Sequence, residues 1–259
     1  MLGKLMKYEF MSMGRIFLPI YGALIAVTII SRLLMLLPNT YTPAVISTIT
    51  ASFLIAATSV ITLILVLQRF YKNLLTNEGY LMMTLPVKPD LLISSKLFVA
   101  TIFTIASFLV SVLAIAILAN SHLDLSGFEF FFRPFSNSQA VLVSIEVFIL
   151  VIFATFASIL LLYTCMALSL LVNKRRILFS FGMYVAITTI LQILAVIVIT
   201  AFITFHIGED PLMLRMYAEM SAFATSQVIL LTSIALTLGL CAAFYFPTRY
   251  MLKRKLNLQ

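Results

Sequence analysis

The sequence predicts an all-α polytopic membrane protein with six transmembrane helices and an amphipathic interfacial helix at the N-terminus. Three observations predict it. The chain is 63% hydrophobic and only 10% charged over 259 residues, whereas a water-soluble domain clothes itself with about a quarter charged residues. Apolar runs of ~20 residues or more recur along the whole length, each sufficient to cross a hydrocarbon core of ~30 Å. The basic residues gather in the short segments between alternate runs, as the positive-inside rule requires. The formal net charge of +8 is therefore read as a membrane signal, and nucleic acid is not an expected partner.

Met1 to Arg15 comes first. At 100° per residue Leu2, Leu5, Met6, Phe10 and Met13 share one face, with Lys4, Lys7, Ser12 and Arg15 away from it. Such a segment suits a helix lying in the membrane interface with its lysines at anionic headgroups. Glu9 falls on the apolar face. It is read as snorkelling to the headgroups, the other reading being a buried pair with a basic group. The first apolar run is too long for the core of a signal peptide.

Six spans follow, at about residues 16–37, 43–67, 91–120, 139–172, 177–205 and 222–247. Several exceed the crossing length, so they tilt or project beyond the bilayer. An even number puts both termini on one side. That side carries Lys4, Lys7, Arg15, Arg69, Lys72, Lys88, Lys96, Lys174, Arg175, Arg176, Arg249, Lys253, Arg254 and Lys255. The other carries Arg32, Arg133 and Arg215. Fourteen against three places both termini in the cytoplasm. The outer segments are Pro38–Thr42, the longer Ser121–Ser138 with its run Phe128-Glu129-Phe130-Phe131-Phe132, and His206–Ser221. In the last, Leu212, Leu214, Met216 and Tyr217 are suited to an interfacial or re-entrant helix. No soluble domain is inserted and no repeat is evident, so residues 1–259 read as one transmembrane domain. Cys165 and Cys241 lie within apolar runs and read as small hydrophobes.

Catalytic constellations are missing. The chain has no phosphate-cradling glycine loop and no paired-histidine zinc helix. His122 and His206 both lie in outer segments, so no histidine stands at depth to ligate a haem or activate a serine. An enzyme is not expected, nor a cofactor or metal in this chain. Glu146 is the one clear acid inside a span, about two turns in from its outer end. It either lines a pathway or reaches for the headgroups. Gln192, in the fifth span, either joins that pathway or makes a helix–helix hydrogen bond.

The segment from residue 68 to 90 is too polar to cross and too apolar for a solvated loop. Leu74, Leu75, Tyr80, Leu81, Met82, Met83 and Leu85 need a covering surface. Glu78 offers an anionic handle and Gly79 a close backbone approach. Pro89 and Asp90 form a plausible first turn for the third span, since proline suits the first helical position and aspartate the positive end of the dipole. By composition alone it serves equally as a docking surface or as a linker folded on the protein's own helix ends.

The stretch RFYKNLLTNEGYLMMTLPVKPDLLISSKL resembles the corresponding loop of bacterial ATP-binding-cassette (ABC) exporter permeases of the type 2 class. An acidic residue, Gly-Tyr-Leu, Thr-Leu-Pro-Val and Leu-Leu-x-Ser-Lys carry the resemblance. KYEFMSMGRIFLPIYGALI and RYMLKRKLNLQ resemble the two ends of the same permeases. The resemblance implies a coupling helix in the first inner loop that inserts into a groove of a separate ABC ATPase subunit. Glu78, Gly79 and Tyr80 would be its core, flanked by Asn77, with Leu81, Thr84, Leu85 and Pro86 completing the contact. ATP and magnesium would belong to that partner. A second permease subunit, identical or paralogous, would complete the pathway in the bacterial cytoplasmic membrane. Two features depart from the pattern. Lys88-Pro89 stands where the family tends to have a small polar cap, and the outer segment before the sixth span is short for paired re-entrant helices. An amphipathic or lipophilic cargo, such as a peptide, lipid or drug, follows from the Phe-, Met- and Leu-rich spans. The alternatives are an ion-coupled secondary transporter using Glu146 and a non-transporting membrane scaffold or sensor.

Overall fold

The computed structural model describes residues 2–36, 41–75, 89–119, 138–172, 176–207 and 222–255. Every regular element among them is helical: α1 (Leu2–Leu36), α2 (Tyr41–Leu75), α3 (Pro89–Ala119), α4 (Ser138–Leu168), α5 (Arg176–Ile207) and α6 (Ala222–Lys255). Each of the six contains a stretch long and apolar enough to cross a membrane. A short 3-10 turn, Ser169–Leu171, closes α4.

The chain gathers into two compact units, Met1–Ser136 and Asn137–Gln259. In the first, α1, α2 and α3 all pack on one another. Glu9 meets Arg69 at one end of the α1–α2 pair and Ser31 meets the Ser47 carbonyl at the other, so these helices are antiparallel. Glu9 with Lys96, Phe17 with Phe103 and Tyr21 with Ser107 advance together along α1 and α3, so those two are parallel. The unit is an up-down-up three-helix bundle.

Its core follows the apolar spacing of α1. Met13, Phe17 and Leu24, spaced by four and seven positions, are buried. Phe103 of α3 receives this stripe. Its ring stacks on Phe17 at 4.9 Å and lies tilted 5.0 Å from Phe10. In lipid the hydrophobic effect does not press helices together, so close packing and buried polar contacts must hold such a bundle.

Two boundaries differ from the sequence reading. Residues 2–15 are helical, and they run without a break into the first span, with Met13 continuing its buried stripe and Glu9 ion-paired inside the bundle. The second helix extends to Leu75, so residues 68–75 belong to it rather than to the loop. Phe70 is fully buried and Arg69 is ion-paired, which holds those last turns in the bundle. The third helix begins at Pro89 with Asp90 in its first turn, as the proline–aspartate pair predicts.

In the second unit α4 packs closely on α6 and also touches α5. Phe153 pairs with Cys241, and Thr164 with Phe244 and Thr248. These pairs keep separations of 80 to 88 positions in the chain, so α4 and α6 are parallel. Pro247 lies inside α6 and deprives the Ala243 carbonyl of its helical partner. Beside that break, the hydroxyls of Thr164 and Thr248 both reach the neighbouring Phe244 carbonyl, at 2.9 and 2.8 Å. These bonds serve the carbonyl next to the one the proline frees and tie α4 to α6 at that point. Along α5, large side chains such as Leu178, Phe181 and Val198 stay exposed, as suits a face turned to lipid or another chain.

Candidate functional site

An ionic node ties together one end of the three-helix bundle. Glu9 comes from α1, Arg69 from α2 and Lys96 from α3. The Glu9 Oε1 accepts from Lys96 Nζ at 2.5 Å, while Oε2 accepts from Arg69 Nη1. The same Nη1 reaches the Glu9 carbonyl at 3.3 Å, and Nη2 donates to Ser12 Oγ. Lys96 keeps only 4% of its side chain exposed and Glu9 12%. This overturns the headgroup reading of Glu9. A carboxylate on the buried stripe of a continuous helix faces neighbours, and two of those neighbours are basic. The node carries two positive charges against one negative; Glu9 accepts from both cations, and Arg69 also bonds the Glu9 carbonyl and Ser12. Satisfaction of that kind is what lets buried charges offset their loss of hydration.

The node lies near the end of α2 and the start of α3. Arg69 is six residues before the end of α2, and Lys96 seven residues after the start of α3. The segment between them leaves a helix pair whose ends are fastened to each other through Glu9. Asn77, Glu78, Gly79, Tyr80, Leu81, Thr84, Leu85 and Pro86 lie outside the described residues.

Two further polar layers cross the same bundle. Tyr21 Oη donates to the Phe103 carbonyl at 3.1 Å and lies 2.7 Å from Ser107 Oγ. Ser107 Oγ in turn lies 2.8 Å from Thr62 Oγ1. One serine thus joins all three helices. Toward the other end, Ser31 Oγ donates to the Ser47 carbonyl at 2.9 Å. From Glu9 to Tyr21 is about 18 Å along α1, and from Tyr21 to Ser31 about 15 Å. The layers therefore brace the bundle at its two ends and its middle. A groove of about 540 Å³ runs between α1 and α2 near Ser31, lined by Val27, Ile30, Pro43 and Ile46 among others. Its walls are almost wholly apolar, so it offers shape without chemistry.

Of the two expected pathway residues, Glu146 sits half-buried on α4, and its Oε2 is closed to water with no hydrogen-bond partner. Gln192 is exposed on α5, so it makes no buried helix–helix contact within this unit. Sequence reasoning missed Gln227 on α6, whose Nε2 is likewise buried without a partner. Its signal was a seven-residue register: Gln227, Ile234, Cys241 and Thr248 fall on one stripe of α6, the stripe that meets α4. Arg32, counted among the outer basic residues, is buried in α1 with Nη2 unpartnered. Cys165 is buried and Cys241 half-buried, both as free thiols. Among the described residues no three His, Cys, Asp or Glu side chains come together as metal ligands.

Comparison with known proteins adds no relative: no family model, curated protein or solved structure matches the chain.

Proposed function

We propose that the protein is the membrane subunit of an ABC exporter in the bacterial cytoplasmic membrane, moving an amphipathic or lipophilic cargo. It would work with a separate ABC ATPase and a second permease subunit. The observation that supports this reading best is the Glu9–Arg69–Lys96 node near the end of α2 and the start of α3. The connection carries Asn77 to Pro86, the residues that resemble the coupling helix of type 2 ABC permeases. A segment that is to receive a push from a partner must be anchored to the spans it moves. The node fastens both of its flanking helices to α1. On this reading, ATP-driven closure of the ATPase pair presses on the segment around Glu78. The three-helix bundle then moves as a braced body and opens the path for cargo, with both chain termini in the cytoplasm.

Simultaneous replacement of Glu78 and Tyr80 tests it. Expected is loss of ATPase co-purification, or ATP hydrolysis uncoupled from transport, while the permease remains folded in the membrane. A double variant that assembles and transports like the wild type overturns the coupling role. A nucleotide-binding subunit that never co-purifies with the wild-type chain overturns the exporter reading as a whole.

A further inference from the structure

In the first unit all three helices meet their first charge at nearly the same height, on the side of the chain termini. On α1 that charge is Arg15, since residues 16–31 carry none. On α2 it is Arg69 and on α3 Lys96, with residues 41–68 and 97–119 uncharged. Ser12 and Glu9, both within two turns of Arg15, receive bonds from Arg69 and Lys96. The three cations therefore share one short zone of the bundle. Along α1, Arg15 and Arg32 are about 26 Å apart, close to the ~30 Å of a hydrocarbon core. The zone of Arg15 is thus the edge of that core, where lipid phosphates lie.

This zone carries more positive charge than the chain answers. Arg15, Arg69 and Lys96 stand against the one carboxylate of Glu9, and Asp90 lies about 9 Å beyond Lys96 at the start of α3. Lys96 is closed in with Glu9, whereas Arg69 keeps 20% of its side chain exposed and Arg15 is exposed. Arg15 meets no carboxylate among the described residues. Its place relative to Arg69 is fixed through Ser12. Nη2 of Arg69 donates to Ser12 Oγ, and Arg15 follows Ser12 by three residues, the spacing of neighbours on a helix surface. Ser12 is itself exposed. Two guanidinium groups thus open outward beside one hydroxyl. Tyr8 lies one turn before Ser12 and Leu18 one turn beyond Arg15, and both are exposed.

Guanidinium forks match phosphate oxygens in shape and charge. A molecule that answers this surface places a phosphate at the core edge and runs an acyl chain past Leu18. The surplus positive charge favours a headgroup with no cation of its own, because a choline or ethanolamine would bring its ammonium against the arginines. We propose that Arg15 and Arg69 bind the phosphate of an anionic phospholipid, in the leaflet on the side of the chain termini. The proposal needs only the membrane reading and holds whatever the chain carries. Arg69 joins the lipid to the buried node, since the same guanidinium fastens Glu9 of α1 to α2.

Detergent-solubilised full-length protein is titrated with dioleoylphosphatidylglycerol and with dioleoylphosphatidylcholine, and bound lipid is counted by native mass spectrometry. Wild type is expected to take the first phosphatidylglycerol at least roughly tenfold more tightly than the first phosphatidylcholine. Arg15→Gln should cut that preference roughly fivefold, as one basic residue at a membrane surface does. Arg15→Lys should restore part of it. Lys7→Gln removes an exposed cation about 12 Å further along α1, more than a Debye length away at physiological salt. It should leave the preference within roughly twofold. Arg69 is kept in every variant because it also holds Glu9. Thermal melts establish that each variant is folded. Equal binding of the two lipids to wild type overturns the site. So does an unchanged preference in folded Arg15→Gln, or an equal loss in Lys7→Gln, which would make the attraction one of diffuse charge. Displacement of the lipid by excess inorganic phosphate would reveal a site for soluble anions and overturn the lipid assignment. Should Arg15→Gln misfold, the two lipids on wild type, with and without phosphate, decide alone.

Discussion

Glu9 and Lys96 stand 87 positions apart in the chain and meet at 2.5 Å inside the bundle. Removing one member of such a pair leaves the other buried and uncompensated, which costs about 3–5 kcal/mol. Lys96, with 4% of its side chain exposed, has no route to water without unpacking α3. Glu9→Leu should therefore lower the thermal midpoint of the detergent-solubilised protein strongly. The double change Glu9→Leu with Lys96→Met should recover much of the loss, because it removes both charges, leaving Arg69 the more exposed member. If the double variant is as unstable as the sum of the singles, the two residues are not coupled.

Ser107 carries the middle layer, and its removal is a milder event. In Ser107→Ala, Tyr21 keeps the Phe103 carbonyl and Thr62 keeps the Thr58 carbonyl, so neither hydroxyl is orphaned. A loss of about 0.6 kcal/mol, the average for a hydrogen bond between spans, is expected. Ser107→Leu is a different perturbation, since the site is buried where three helices converge. Overpacking of that kind costs about 1–3 kcal/mol. Unfolding equilibria of the two variants should rank them in that order, and the reverse ranking would remove Ser107 from the centre of the bundle.

Much of the architecture could be read from local pattern. The six apolar runs, the proline–aspartate start of α3 and the apolar burial of the cysteines depend on short-range sequence, and they match the structure. Partnership across helices could not be read this way. Glu9 lies on an apolar stripe near a chain end, and nothing within ten residues of it reveals that Arg69 and Lys96 arrive from 60 and 87 positions away. Gln192 and Gln227 differ in the same way. Depth within an apolar run singled out the former, whereas facing another helix is decided by the seam register that only the latter obeys.

The threonine pair beside Pro247 gives a third test. Thr164→Val retains shape and removes one of the two hydroxyls that reach the Phe244 carbonyl. Thr248 still serves that carbonyl at 2.8 Å, so either single valine substitution should cost about 0.6 kcal/mol and at most about 1.7 kcal/mol. Replacing both leaves the carbonyl region next to the proline break without side-chain donors, so the double variant should lose more than the sum. In a background with Pro247→Ala that excess should persist, because the proline frees the Ala243 carbonyl and not that of Phe244. An additive double variant in the proline-containing chain would show that the hydroxyls serve packing alone.

The charge asymmetry makes a prediction about orientation that needs no partner protein. Fourteen Lys and Arg residues fall on the side of the termini against three on the other, which in short segments directs that side to the cytoplasm. Gly3 has open space where a side chain would begin, so Gly3→Cys introduces a reactive thiol without repacking. Gln259→Cys supplies a thiol at the other end of the sequence. The native thiols are a small background, since Cys165 is buried and Cys241 half-buried within apolar helices. A membrane-impermeant maleimide applied to intact cells should leave both new cysteines unlabelled, and permeabilised cells should label both. Labelling of one terminus alone in intact cells would require an odd number of crossings. Labelling of both would invert the orientation and place the Glu9–Arg69–Lys96 node, with the segment above it, on the side where no cytoplasmic ATPase could reach.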